Sequence, residues 1–219
     1  MERKKAASVV RYISMIIMIL LTLTQLVPSL ELASISVWIG LASFFIVEGI
    51  AGESKKQSGL RFSTMGKELR AGSVWTMIGL LALIQIVSVV VGNIVFGHAF
   101  IDYDMGRTFD VMNSGSVSRL LALVPISAWG EEIAWRGFFL GKKSEKIPFW
   151  IWAVFSSVLF AIGHVSQHAL PIVLYGTSFN FLCSLILCRL FQKTNNCMIS
   201  TIGHILGNYA EILFILMVF

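Results

Sequence analysis

The chain has 219 residues, of which 56% are apolar and only 13% charged, with a mean hydropathy of +0.80. That balance excludes an ordinary water-soluble domain. The formal net charge of +5 does not indicate a nucleic-acid partner, because the basic residues sit at the ends of apolar runs.

Seven such runs follow one another, at roughly 10–29, 33–51, 73–97, 117–141, 148–165, 170–191 and 198–219. About 20 residues at 1.5 Å each cross the hydrocarbon core. Runs joined by short polar connectors keep their backbone satisfied in lipid only as helices. The sequence therefore predicts an all-α fold, a polytopic transmembrane bundle of about seven to eight helices. One integral-membrane domain over 1–219 is the simplest division, since no internal repeat or low-complexity segment interrupts it. The absence of repeats also weighs against a transporter built from paired halves.

The first run follows "MERKK" and is expected to be an uncleaved anchor, since no small-residue cleavage site stands out. Arg3, Lys4, Lys5 and Arg11 begin the chain, and Lys55, Lys56, Arg61, Lys67 and Arg70 fill the second connector. Lys142, Lys143 and Lys146 fill the fourth, while Arg189 and Lys193 flank the sixth run. In the third connector Asp102, Asp104 and Asp110 outweigh Arg107, and the first and fifth connectors have no basic residue. This alternation predicts a multi-pass protein of the cell membrane, N-terminus cytoplasmic and C-terminus outside. Cys183, Cys188 and Cys197 form no CxxC pair and imply no disulfide framework. The terminal "LMVF" is not a prenylation signal.

Ionisable groups inside spans are the informative residues, because each costs ~2.5–3.5 kcal/mol at mid-helix. Glu48 and Arg119 lie near helix ends and are expected to reach the interface. Glu211, in the last run, is less easily set aside than these two, although a wet outer half of a short terminal span would account for it. The rest lie on three helices: Glu131, Glu132 and Arg136 in "GEEIAWRG", His164 in "FAIGH", and His204 and Asn208 in "HILGN". Glu132 and Arg136 are four apart and share a helix face, so an internal salt bridge accounts for them. Glu131 points ~100° away and is left without that partner. His204 and Asn208 share a face flanked by Gly203 and Gly207, which let another helix approach closely. His168, four after His164, lacks the intervening Glu of a zinc-binding HExxH and is expected at the outer interface.

A lone histidine on an apolar helix is usually a satisfied core residue. A carboxylate, two histidines and an asparagine on interior helices are more simply explained by one shared polar cavity. A carboxylate among apolar neighbours suits a general base. A histidine beside it holds or shares the proton of a water, and a second histidine with an asparagine stabilises an oxyanion. Together these residue types suit attack of water on a peptide carbonyl. By simple counting, however, Glu131 lies ~15 Å, His204 ~9 Å and His164 ~25 Å from the cytoplasmic ends of their helices. The fifth helix is therefore expected to start deeper, to tilt or to be broken.

"EEIAWR" fits EExxxR, "FAIGH" fits FxxxH and "HILGN" fits HxxxN, in that order, over roughly 117–219. In this the chain resembles the CPBP family of intramembrane endopeptidases, which comprises CAAX-prenyl endopeptidases of the Rce-one type and bacteriocin-processing or self-immunity (Abi) proteins. The resemblance implies that Glu131 activates water together with His164. It implies that His204 and Asn208 form the oxyanion hole and that Glu132 and Arg136 support the site. It also admits a metallo variant, with Glu131, His164 and His204 around a divalent metal such as zinc. A metal-free glutamate mechanism with no cofactor is favoured, because His and Asn four apart suit an oxyanion hole better than a zinc cage.

The expected partners are a peptide or membrane-protein substrate within the lipid bilayer, and no nucleic acid. The substrate types implied are a CAAX protein, a leader peptide, a pheromone precursor or a bacteriocin-related peptide. The alternative is a non-catalytic bacteriocin immunity or membrane scaffold protein that engages a partner membrane protein and uses the motifs only for fold. A channel or transporter is disfavoured by the lack of a continuous polar helix face.

Overall fold

The computed structural model describes residues 2–27, 29–30, 32–52, 59–112, 115–142, 144 and 146–219, with backbone alone at 110–112. Lys55, Lys56, Lys143 and the side chain of Asp110, used in the charge pattern above, lie outside the described residues.

Every regular element among the described residues is helical. In chain order these are α1 (Glu2–Leu23), α2 (Ala33–Ala51), a single turn α3 (Met65–Glu68), α4 (Gly72–Phe96) and α5 (His98–Met112). They continue with α6 (Val117–Glu132), a π-helical segment (Ile133–Leu140), α7 (Phe149–Ile162), α8 (Leu170–Thr194) and α9 (Cys197–Val218). All seven apolar runs are thus helices. Five, those based on α1, α2, α4, α8 and α9, are long and apolar enough to cross a membrane by themselves. α6, with 16 residues, continues without a gap into the eight residues of the π-helical segment, whereas α7 has only 14 residues.

The third connector departs from expectation. It is expected as an acidic outer loop, but residues 98–112 form α5, whose Phe100, Ile101, Tyr103 and Asp104 are buried. Gly97 (φ +65°) and Gly115 (φ +52°) allow the chain to turn into and out of it. Asp104 pairs with Arg107 at 3.4 Å, so that acid is internal and not part of a wet outer surface.

Helix α9 lies inside the bundle against α4, α6 and α8, and α2 packs on α1 and the π-helical segment. Small residues set the approach, as expected where lipid supplies no hydrophobic drive between helices. A methyl at Gly203 would meet Leu190 Cδ1 at 2.9 Å and Leu81 Cδ1 at 3.2 Å. At Gly40 it would meet Ala134 Cβ at 2.7 Å and Met18 Cε at 2.8 Å. Pro125 lies inside α6 and has no N–H to give the carbonyl of Leu121. The hydroxyl of Tyr209 donates to that oxygen at 2.7 Å, tying α6 to α9 one residue beyond Asn208.

Candidate active site

The two adjacent glutamates of α6 meet different surroundings. Glu132 is fully buried, and its Oε1 accepts from Arg136 at 2.7 Å. The same oxygen lies 3.0 Å from Nδ1 of His204, which donates to it. Arg136 is also fully buried, and its second terminal nitrogen donates to the Ser184 hydroxyl at 2.8 Å and the Ser184 carbonyl at 3.2 Å. Ser184 donates onward to Ser157 at 3.0 Å. The chain Glu132–Arg136–Ser184–Ser157 thus joins α6, the π-helical segment, α8 and α7. Burying a charge pair is tolerable only with such additional bonds.

Glu131 is half-buried. Its Oε1 accepts from Ser127, one turn earlier, at 2.8 Å, and its Oε2 is buried without a hydrogen-bond partner. The carboxylate therefore has a local anchor that spacing arguments restricted to ionisable groups overlooked. It keeps one oxygen open.

His164 lies just beyond the end of α7, not within a straight helix. Its Nδ1 donates to the carbonyl of Phe160 at 2.7 Å, which fixes the proton on that nitrogen and leaves Nε2 as an acceptor. Glu131 and His204 are both close enough to act on it electrostatically. Phe160, the aromatic of FxxxH, is the hub. Its ring centroid lies 4.4 Å from that of His164 and 5.9 Å from that of His204, and 4.7 Å from the Arg136 guanidinium carbon. Of the expected departures from a straight fifth helix, a break is present. α7 starts at Phe149, no deeper than expected, but stops at Ile162, and His164 is drawn back toward Phe160.

Asn208 shares the α9 face with His204 and is half-buried, and its side chain makes no hydrogen bond among the described residues. Its amide is available. Glu211, a turn further on, is only half-exposed to its surroundings and accepts from Gln85 of α4 at 2.9 Å. It is held by protein and not by water alone. Glu48 accepts from Lys142 at 3.3 Å, Arg119 is exposed, and exposed His168 stacks edge-on to Tyr103 at 5.3 Å. None of these three joins the site.

Among the described residues no three His, Cys, Asp or Glu side chains converge as a metal-ligand group. His164 and His204 each commit Nδ1 to a protein acceptor. That commitment leaves Nε2 of both rings open.

Several supporting residues carry no sequence signal of their own: Ser157 and Ser184, and the π-helical segment, whose eight residues are all buried. π-helical turns concentrate at functional sites. This one begins immediately after Glu132. It turns Arg136 toward α8.

These features define a class: a multi-pass helical membrane protein with a buried carboxylate–histidine site drawn from three helices. Residues 113–210 match the family described as type II CAAX prenyl endopeptidase Rce1-like. That segment, just under half of the chain, contains all seven motif residues, and through it the chain is similar to the Rce1-like family. α1–α5 lie outside the match. No curated protein and no solved structure matches the chain.

Proposed function

We propose that the protein is an intramembrane endopeptidase that hydrolyses a peptide bond with water activated by Glu131. The observation that carries this is the contrast between the two glutamates. Glu132 is held by Arg136 and His204 through Oε1, whereas Glu131 is bonded to Ser127 and has no ion pair among the described residues; each keeps a buried Oε2 without a hydrogen-bond partner. Glu131 Oε2 takes the proton as water attacks the carbonyl carbon, and Nε2 of His164 accepts the water's second hydrogen bond. The carbonyl electron pair moves onto oxygen, and His204 and the Asn208 amide stabilise it. Collapse of the intermediate breaks the C–N bond, and the proton on Glu131 passes to the leaving amine.

One requirement follows from the hydrogen bonds. With its Nδ1 proton given to Glu132, His204 donates to an oxyanion only through a protonated Nε2, that is, as an imidazolium. The Glu132 oxygen that holds this ring is the one it shares with Arg136.

The substrate class is a membrane-associated peptide, with a C-terminal CAAX segment as the type the family name indicates. The basic residues at one end of the bundle support a cytoplasmic N-terminus. The test is cleavage by the reconstituted protein of a panel of isoprenylated CAAX peptides and unmodified transmembrane peptides. Glu131→Ala and His204→Ala are expected to abolish it. Undiminished cleavage by either variant overturns the role given to that residue.

A further inference from the structure

The connector 59–71 is bound tightly to the junction of α8 and α9. Cys197 N donates to the Gly59 carbonyl at 2.7 Å, and Arg61 N donates to Asn196 Oδ1 at 3.1 Å. The Asn196 amide, fully buried, donates back to the Arg61 carbonyl and to Glu68, each at 2.7 Å. The Arg61 guanidinium binds Glu68 at 3.1 Å and the Thr194 carbonyl. This frame leaves a cavity of about 400 Å³ lined by Arg61, Lys67, Glu68 and Lys193 among others.

The charges in that lining do not balance: three cations face one carboxylate. Glu68 is already taken by Arg61 and Asn196. The Lys67 and Lys193 ammonium groups have no ion pair or hydrogen bond among the described residues, and Arg61 Nε is buried without a partner. Two ammonium groups around one cavity repel each other until an anion lies between them.

The surroundings fix the depth. Trp75 is 49% exposed and donates its indole N–H to the Leu69 carbonyl at 2.7 Å, and Phe62 is 60% exposed. An exposed tryptophan at the end of an apolar helix marks the level of lipid headgroups. From this level α4 and α8 run into the membrane, exposing apolar residues such as Leu80, Leu83 and Leu182. A cationic pocket above and apolar walls below match an amphiphile with a phosphate head.

We propose that this cavity binds the phosphate headgroup of an anionic phospholipid, with Lys67 and Lys193 on the phosphate oxygens and acyl chains along α4 and α8. The site lies outside the peptidase machinery, so the proposal stands apart from the mechanism above.

The test is native mass spectrometry of the full-length protein released from equal mixtures of phosphatidylglycerol and phosphatidylcholine. The wild type is expected to retain phosphatidylglycerol preferentially. Lys67→Gln and Lys193→Gln are each expected to lower that preference about fivefold, and the double variant about thirtyfold. Lys4→Gln/Lys5→Gln, which removes the same charge from α1, is expected to leave it unchanged. Equal retention of the two lipids overturns the proposal, as does an unaltered preference in a double variant that melts like wild type. Inorganic phosphate in excess is expected not to compete. Displacement of the lipid by phosphate alone would assign the cavity to a soluble anion instead and overturn the lipid assignment.

Discussion

His204 Nδ1 stands 3.0 Å from Glu132 Oε1, the same oxygen that takes Arg136 at 2.7 Å. One buried carboxylate therefore orients an imidazole of α9 and neutralises a guanidinium of its own helix. Its neighbour Glu131 shares neither task.

The two glutamates are accordingly expected to fail in opposite ways. Glu131→Gln preserves size and the bond from Ser127, so thermal stability should stay near wild type while peptidase activity falls ~10²–10⁴-fold. Glu132→Gln leaves Arg136 without its counter-charge in a fully buried position, at a cost of ~3–5 kcal/mol. Thermal unfolding in detergent alongside peptide cleavage separates them. A Glu132→Gln protein that melts like wild type would show that the pair is not structural.

Ser127 is expected to act as a positioning residue through Glu131 Oε1. Removing a hydrogen bond to a charged group costs ~1.5–3 kcal/mol. Ser127→Ala should therefore lower kcat about tenfold or more with KM little changed, and Ser127→Thr should restore most of it. A rise in KM at constant kcat would instead assign Ser127 to substrate binding.

Tyr209 and Pro125 form a pair that a double-mutant cycle can isolate. Tyr209→Phe strands the Leu121 carbonyl, which Pro125 cannot satisfy, and should destabilise the protein by ~1–3 kcal/mol. Pro125→Ala returns a backbone N–H to that carbonyl. In that background Tyr209→Phe should cost little, leaving a coupling energy of the same size. Additive losses would break the link.

Gly40 is where α2 meets α1 and the π-helical segment, and a methyl there falls 2.7 Å from Ala134 Cβ. Gly40→Ala is expected to destabilise by ~1–3 kcal/mol through overpacking. Gly49, with nothing within 4 Å of an added Cβ, is the control: Gly49→Ala should melt no lower than wild type. Equal melting of the two alanine variants would count against close packing at Gly40.

The helices were legible because an apolar run of membrane length leaves the backbone few alternatives. Glu132 and Arg136 were legible as a pair because a spacing of four puts them on one helix face. α5 was not, since Asp102, Asp104 and Arg107 resemble a solvated connector. Its apolar residues at 100, 101 and 103 bury one stripe and carry Asp104 inside with them. The π-helical segment has no compositional mark, and Ser127 is an uncharged residue whose place in an apolar run needs no partner to explain it. The depth of His164 could not be read from helix counting, which does not reveal that α7 ends before it.

That early end has a consequence for hydration. At 1.5 Å per residue the 14 residues of α7 reach only ~21 Å, against ~30 Å of hydrocarbon. The 25 residues of neighbouring α8 reach ~37 Å at the same rise. Residues 163–169 run as non-helical backbone between the end of α7 and the start of α8. Backbone of that kind requires polar partners, and Gln25 supplies one by donating to the Val165 carbonyl at 2.7 Å. A bilayer bordering so short a wall thins to meet it. The reactant that every hydrolase needs has less oil to cross on the side where His164 waits.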